Sequence, residues 1–293
     1  MNKIHIAIKN KTQLTQALES KYEVDYHKEQ TFFEKLTLKD KIYPDIYFHQ
    51  GVVNEYALSL VENSSKIIVN SQYIKDEIIK KKPYITQRKI DIIYPYINSK
   101  IKYDKQTRKD FRKEHSIAKN TRLIYFTGKD LKQSGIDKFF KIIEGLDRNN
   151  FKVIIDTDSK QLESVRIKID KTKMIDTFIL LENYEDKEQL FIVSDIFILP
   201  TKQKLFVPNI LKAMYFKCAV FVMKSNASSE LVDSFSLIRG VDDPSTSFKV
   251  DALLLSNDEL KKIKKENNKI AKTHTLQNNL KEIEQIIENI FDN

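Results

Sequence analysis

The sequence predicts an α/β protein built on doubly wound parallel sheets, and three observations carry that prediction. Runs such as Arg122 to Thr127, Phe151 to Ile155 and Ser194 to Pro200 are apolar and β-branched without alternation, as strands buried on both faces are. Segments with helical spacing separate them: in Ile136 to Leu146, Phe139, Phe140, Ile142 and Ile143 share a face. The alternation of strand and helix continues over most of the chain, with no internal repeat or low-complexity linker.

At the start, Ile4 to Ile8 and Tyr22 to Tyr26 read as strands around a helical segment that holds Leu14 and Ala17. Thr31 to Leu38 is expected to form a short helix and Pro44 to His49 a strand, with Gly51 at the turn behind it. Asn54 to Val61 reads as a helix and Ser65 to Asn70 as a strand. Ser71 then caps a helix to Lys80 with Ile74, Ile78 and Ile79 inward. The charged segment from Lys100 to His115 is a connecting helix around Phe111.

In the second half, Gly128 and Lys129 follow a buried strand and lead through a polar loop to Ser134 and Gly135. Gln161 to Ile169 and Lys187 to Val193 read as helices on either side of a strand from Thr177 to Leu181. Asp156 and Asp158 lie at a strand end, where paired acids either cap a helix or hold a metal. Beyond Leu231 the pattern weakens, with Ser236 to Arg239 as a last strand and Asp251 to Leu255 as part of a helix. Leu276, Leu280, Ile283, Ile286, Ile287, Ile290 and Phe291 then form one helical stripe.

The stretch that organises the rest runs from Tyr184 to Leu231. A buried strand ending at Pro200 is followed by a turn, a helix capped by Asn209 with Ile210, Leu211, Ala213, Met214 and Phe216 on one face, and a second buried run from Ala219 to Met223. In such units ligands sit outside the carboxyl ends of the strands, where Thr201 to Pro208 fall.

The segment SDIFILPTKQKLFVPNILKAMYFKCAVFVMKSNASSELV resembles the donor-site region of GT-B glycosyltransferases of family 4. Aligned on Pro200, Phe206, Ala213 and Met214, it needs no gap, although Pro208 falls one place early. The two glutamates of the family pattern fall on Lys204 and Lys212, and its flanking glycines on Leu205 and Val207. KIIVNSQYIKDEII resembles the end of the family's acceptor domain, and IDIIYPYIN the strand and linker into its donor domain, so the resemblance spans Ser65 to Leu231. It implies two Rossmann-like doubly wound domains: an abbreviated acceptor-type one at 1–98 and a donor-type one at 99–275. The helix at 276–293 is then expected to pack back on the first, with a protein partner as the other reading of its stripe.

The resemblance also implies a retaining transfer from a nucleotide sugar, most such enzymes needing no metal. The family meets the leaving diphosphate with a glycine and arginine after the first donor-domain strand, a lysine a few residues on, and a helix N-terminus. Here Gly128 is kept, Lys129 stands at the arginine position and Ser134 at the lysine position, with Lys132 two residues short of it. Lys129 supplies a point charge in place of a bidentate fork.

By the same resemblance, the glutamate replaced by Lys204 contacts the donor sugar and that replaced by Lys212 the ribose, and an ammonium has no acceptor for a ribose hydroxyl. Either Lys129, Lys204 and Lys212 turn the site to an anionic ligand, or these are solvated loop lysines around a vestigial site. Glu230 matches the glutamate of the family's PE turn, while Asn226, Ala227 and Ser228 replace the glycines before it. His49, after a strand in YFHQG, is placed as the acceptor-side general base, or is a structural histidine.

With 293 residues, 41% of them hydrophobic, the chain can fill one large core or two ordinary ones. A net charge of +9 favours an anionic partner, yet the lysines form no stripe with interleaved aromatics, so nucleic acid is not expected. The single cysteine, Cys218, reads as packing. Neither a Ser/His/Asp set nor a Cys/His cluster appears, and no cofactor beyond a nucleotide-sugar donor is expected. No apolar run reaches the roughly eighteen residues of a membrane span, and MNKIHIAIKNK lacks a secretory signal. A cytoplasmic setting is expected, with peripheral contact at the inner membrane face as a variant.

Two functions follow as expectations. One is an atypical glycosyltransferase acting on a glycan or protein acceptor. The other is an inactive relative that scaffolds a partner, for example an active glycosyltransferase, through its last helix or its cleft.

Overall fold

The computed structural model describes residues 3–27, 42–98, 104–147, 150–240 and 243–292. The chain divides into two compact units, Met1–Asn98 with His274–Asn293, and Ser99–Thr273. The helix expected at Thr31 to Leu38 lies outside the described residues.

In the first unit, β1 (Lys3–Ile8), α1 (Gln13–Glu19), β2 (Glu23–Tyr26), β3 (Ile46–Phe48), α2 (Glu55–Asn63), β4 (Lys66–Val69), α3 (Gln72–Lys81) and β5 (Ile90–Ile92) follow in order. The helices start where side chains satisfy their first free amides: Thr12 and Thr15 form a reciprocal box, Asn54 accepts from Ala57 N, and Ser71 from Ile74 N. The sheet has the order β2-β1-β3-β4-β5 with every neighbouring pair parallel. Its order reverses between β1 and β3, and His49 directly follows β3.

The second unit runs through α4 (Lys105–Glu114), β6 (Arg122–Thr127), α5 (Ile136–Glu144), β7 (Phe151–Thr157), α6 (Ser159–Asp170), β8 (Phe178–Glu182), α7 (Lys187–Val193) and β9 (Ile196–Leu199). It continues with α8 (Pro208–Tyr215), β10 (Ala219–Met223), β11 (Leu237–Ile238), α9 (Ser245–Leu255) and α10 (Asn257–Thr273). The all-parallel sheet has the order β11-β10-β9-β6-β7-β8. Read from β8, that is the 3-2-1-4-5-6 order of a dinucleotide-binding fold, whose switch point lies between β6 and β9. Aromatic rings fill its core: Phe126 stacks on Phe139, and Tyr125, Phe191 and Phe197 meet edge to face or tilted.

Below the sheet, at the start of β9, Asp195 is 1% exposed. Arg108 Nη2 donates to both its oxygens at 2.8 Å, Lys264 Nζ reaches Oδ1 at 2.8 Å and Leu123 N reaches Oδ2 at 3.1 Å. Arg112 and Arg122 stand 3.9 Å away. One carboxylate thus ties α4, β6 and α10 to β9. Cys218 is fully buried, and burial raises its thiol to about 12, which suits packing and not nucleophilic chemistry.

Several sequence expectations are corrected. Asn209 does not cap α8; Val207 takes the cap position without a side-chain bond, Pro208 opens the helix with its preset φ, and Asn209 lies inside it. Asp251 to Leu255, expected as part of a helix, is the end of α9, whereas α10 carried no expectation at all: its polar face outweighs the few apolar residues, Leu260 and Ala271 among them, that it buries. The last strand shrinks to Leu237–Ile238.

The chain closes with α11 (Leu276–Phe291), begun by Thr275 accepting from Asn278 N. Ile283 and Ile287 are buried with Ile4, Ile6, Leu14 and Leu18 of the first unit, and Leu276, Leu280, Ile286 and Ile290 pack against that core. Asn279 Nδ2 donates to Tyr94 O at 2.7 Å. The stripe is therefore covered by its own unit, except Phe291, which is 42% exposed. No helix among the described residues is long and apolar enough to cross a membrane.

Candidate functional site

The carboxyl ends of β6, β7, β9 and β10 place four loops together. After β6 the chain must turn sharply into α5, and Gly128 and Gly135 make this possible. A Cβ on Gly128 would lie 1.9 Å from Ser134 Oγ. Gly135, with φ of +89°, caps α5 without a side chain, and a Cβ there would lie 1.9 Å from Pro200 O, the backbone at the end of β9. Gly135→Ala combines a left-handed backbone with a backbone clash, so it is expected to cost at least about 2 kcal/mol. Urea unfolding followed on the second unit measures that loss.

The loop after β6 is fixed from two sides. Gln161 accepts from Leu131 N at 2.8 Å and donates to Lys129 O at 3.1 Å. Lys202 N donates to Gln133 O at 2.9 Å, which joins this loop to the one after β9. Lys129, Lys132, Lys202 and Lys204 are all exposed on the two joined loops. Asp137, on the first turn of α5, is held below the usual carboxylate range by Lys168 first, with Lys202 and Lys132 adding to the field.

The loop from Thr201 to Val207 is stitched from below. Asn226, buried, donates to Gln203 O and Leu205 O, Ala227 N donates to Lys204 O, and Ser228 Oγ accepts from Val207 N at 2.7 Å. Phe206 is buried beneath the loop. The residues that replace the family's glycines therefore serve as backbone partners. Glu230 is exposed on the short 3-10 turn Ala227–Leu231.

Lys212, on α8, meets Glu188 of α7, with Nζ 2.6 Å from Oε1. The side chains are 38% and 27% exposed, so the pair lies at the protein surface. Sequence reasoning missed Glu188. The signal was an ammonium where the pattern has a carboxylate, which calls for a carboxylate on the facing element, and that element is known only once α7 and α8 pack together. Beside it, Lys187 Nζ lies 3.0 Å from Asp156, which is wholly buried and also accepts from Tyr184 N at 3.1 Å. Asp158, by contrast, caps α6 by accepting from Gln161 N. The two acids are thus split between an ion pair and a cap, and no group of three metal-ligating side chains occurs among the described residues.

His49 lies on the other unit, in a pocket of about 660 Å³ lined by Lys9, His27, Tyr47, Gln50, Val52 and Tyr56 among others. It is 5% exposed. Its Nε2 faces Gly51 O at 3.0 Å, a group that only accepts, so Nε2 carries the proton and Nδ1 accepts from Tyr47 OH at 2.9 Å. Burial lowers its pKa, against the pull of the Gly51 carbonyl. Both ring nitrogens are engaged in this arrangement, so a proton can be taken only after the Tyr47 bond opens.

The model of the family described as glycosyl transferases group 1 matches residues 107–272, more than half of the 293-residue chain. No curated protein matches. Among solved structures, HepE of Anabaena in complex with UDP is 12% identical with a TM-score of 0.76, covering 99% of this chain and 100% of that one, and HepE has also been solved with UDP-glucose. WaaG, a glycosyltransferase involved in lipopolysaccharide biosynthesis, is 11% identical with a TM-score of 0.68, over 97% and 99% of the two chains. The GtfA/B complex gives 10% and 0.67, over 99% of this chain and 57% of that one. At these identities the likeness is one of fold, and it is the GT-B fold of two parallel-sheet α/β domains. The chain belongs to the glycosyl transferases group 1 family.

Proposed function

We propose that the protein is a retaining glycosyltransferase that passes a sugar from a nucleoside-diphosphate sugar to a glycan or protein acceptor, with a donor site rebuilt around a relocated carboxylate. The contact between Lys212 and Glu188 at 2.6 Å carries this reading. The lysine that replaces a glutamate on α8 is neutralised by a glutamate on the facing helix, so an acceptor for ribose hydroxyls stays beside it. A vestigial site has no need of that compensation.

Lys129 and Lys132 after β6, and Lys204 after β9, supply the positive field for the diphosphate as the bond to the sugar breaks and its electron pair leaves on phosphate. Gly128 lets the loop close over Ser134, and Gly135 opens α5 without a side chain, so both loops stay near the nucleotide. Glu230 faces the sugar-binding side in this reading, and His49 orders the acceptor pocket through Tyr47. HepE with UDP and UDP-glucose supports uridine nucleotides as the first donors to test.

The test is transfer or slow hydrolysis of a panel of nucleotide sugars, read as released nucleoside diphosphate, beside thermal unfolding with each nucleotide. A nucleotide at a hundred times its Kd is expected to stabilise by about 2.7 kcal/mol. If no nucleotide shifts unfolding, the donor reading is lost.

A second reading, an inactive partner protein, is favoured by one observation. The loop amides that glycines leave free for a ligand are here bonded within the protein, Val207 N to Ser228 Oγ and Ala227 N to Lys204 O. The GtfA/B complex shows a neighbour of this fold in a complex. Nucleotide binding without turnover, together with activation of a second glycosyltransferase, is the outcome that reading predicts.

A further inference from the structure

From Lys80 to Lys89 the chain reads KKKPYITQRK, with five cations and no acid. The stretch takes in the end of α3, the bend after it and the 3-10 turn Gln87–Lys89 that leads into β5. Its side chains edge both ends of α2. Lys81 Nζ donates to Val53 O, just before that helix, at 2.6 Å. At the far end, Lys82 Nζ lies 2.6 Å from Glu62 Oε1, the Tyr84 hydroxyl bonds the same oxygen, and Lys89 Nζ donates to Glu62 O at 2.8 Å.

Glu62 is therefore the one acid that meets the five cations among the described residues. Lys80 and Arg88 are exposed, with no side-chain hydrogen bond or ion pair to any described residue, and Lys81 holds only a neutral carbonyl. Glu55, at the start of α2, is exposed and forms no ion pair with them. Apolar groups come to the surface along the same edge. Val52, next to the carbonyl that Lys81 holds, is 70% exposed, and the Tyr84 ring, 5.8 Å from Lys82 Nζ, is 65% exposed. Pro83 and Tyr56, on the first turn of α2, are exposed as well.

Five cations against one acid, with aliphatic and aromatic groups among them, complement a surface that is negative outside and apolar just beneath. A bilayer with anionic headgroups is such a surface. Nucleic acid matches the charge, but Val52 and Pro83 offer nothing to a base or a phosphate. We propose that this face of the first unit docks reversibly on an anionic lipid bilayer, with Lys80, Lys81 and Arg88 at the headgroups and Val52 and Tyr84 in the layer below them.

Lys80→Gln with Arg88→Gln removes two of the cations and breaks no contact with a described residue. The paired control, Lys160→Gln with Lys171→Gln, removes two exposed cations of the second unit. Flotation of the full chain compares vesicles of phosphatidylcholine with vesicles that also carry phosphatidylglycerol, over a series of salt concentrations. The wild type is expected to bind only the vesicles with phosphatidylglycerol, and less as salt rises.

A cation beside an anionic leaflet contributes about fivefold in affinity, so Lys80→Gln with Arg88→Gln is expected to bind at least about tenfold more weakly, while the control keeps wild-type affinity. Tyr84→Ala, with thermal unfolding as the check on folding, is expected to weaken binding without changing its salt dependence. No binding of the wild type to either vesicle, equal binding to both, or equal loss in the control overturns the membrane face. Binding of a single-stranded RNA that Lys80→Gln with Arg88→Gln abolishes, with no vesicle binding by the wild type, would assign the face to nucleic acid and overturn it too.

Discussion

Asp195→Ala is expected to destabilise the second unit by about 3–5 kcal/mol, the cost of breaking a buried ion pair by removing one partner. The carboxylate has no water to replace it: it is 1% exposed and holds Arg108 through two bonds and Lys264 through a third. Without it, Arg108, Arg112, Arg122 and Lys264 face one another across a cavity. Hydrogen exchange of the β6 and β9 amides reports the loss, since Leu123 N and the start of β9 are anchored there.

The same group gives a pH dependence. Burial pushes Asp195 up, but Lys264 and Arg108 overcome it and hold the carboxyl at about 2, against an ordinary 3.8. Its folded pKa is therefore below its unfolded one. The contribution is complete above about pH 4 and lost as pH falls through 2, and it amounts to about 2 kcal/mol. Protonation costs less than deletion because the oxygen atoms stay in place to accept hydrogen bonds. Acid unfolding of Asp195→Asn, which keeps the shape without the charge, is expected to lack that step.

Glu188→Gln is the substitution with the largest expected effect on function. It keeps the size of the side chain but removes the charge that holds Lys212, and it leaves one acceptor oxygen where the carboxylate offers two to the proposed ribose. A hydrogen bond to a charged group contributes about 1.5–3 kcal/mol, so nucleotide affinity is expected to fall by roughly 10- to 150-fold. Lys212→Glu alone sets two carboxylates side by side and is expected to weaken binding as well. The reciprocal exchange, Glu188→Lys with Lys212→Glu, restores the pair with its charges reversed and is expected to recover most of the affinity.

The fold was legible where burial on both faces writes continuous apolar runs. Arg122 to Thr127 and Lys187 to Val193 coincide with β6 and α7, and the expected cap Ser71 is where a side-chain oxygen precedes an apolar period. The helix α10 was not legible, because its face against α8 is partly polar: Asn267 and Asn268 are buried there by bonding to Cys218 O and Tyr215 O. A periodicity argument counts such residues as solvent-facing. Asn209 failed as a cap because Pro208 has no N–H to be satisfied and moves the start of the helix back by two residues.

The candidate site was legible in part. Gly128 and Gly135 follow from the chain's need to turn at the end of β6, and the lysine substitutions can be read directly at 204 and 212. Glu188 could not be found this way, because it lies twenty-four residues from Lys212 and only the packing of α7 on α8 brings them together. For His49 the residue is visible in the sequence but its tautomer is not; that is set by Tyr47 and by the Gly51 carbonyl.

Calorimetric titration of UDP into the wild type, Glu188→Gln and the reciprocal exchange tests the relocated carboxylate most directly. Saturable binding to the wild type that weakens at least tenfold in Glu188→Gln and returns in the exchange is the predicted result. Equal binding to the wild type and Glu188→Gln, or none to the wild type, would contradict it.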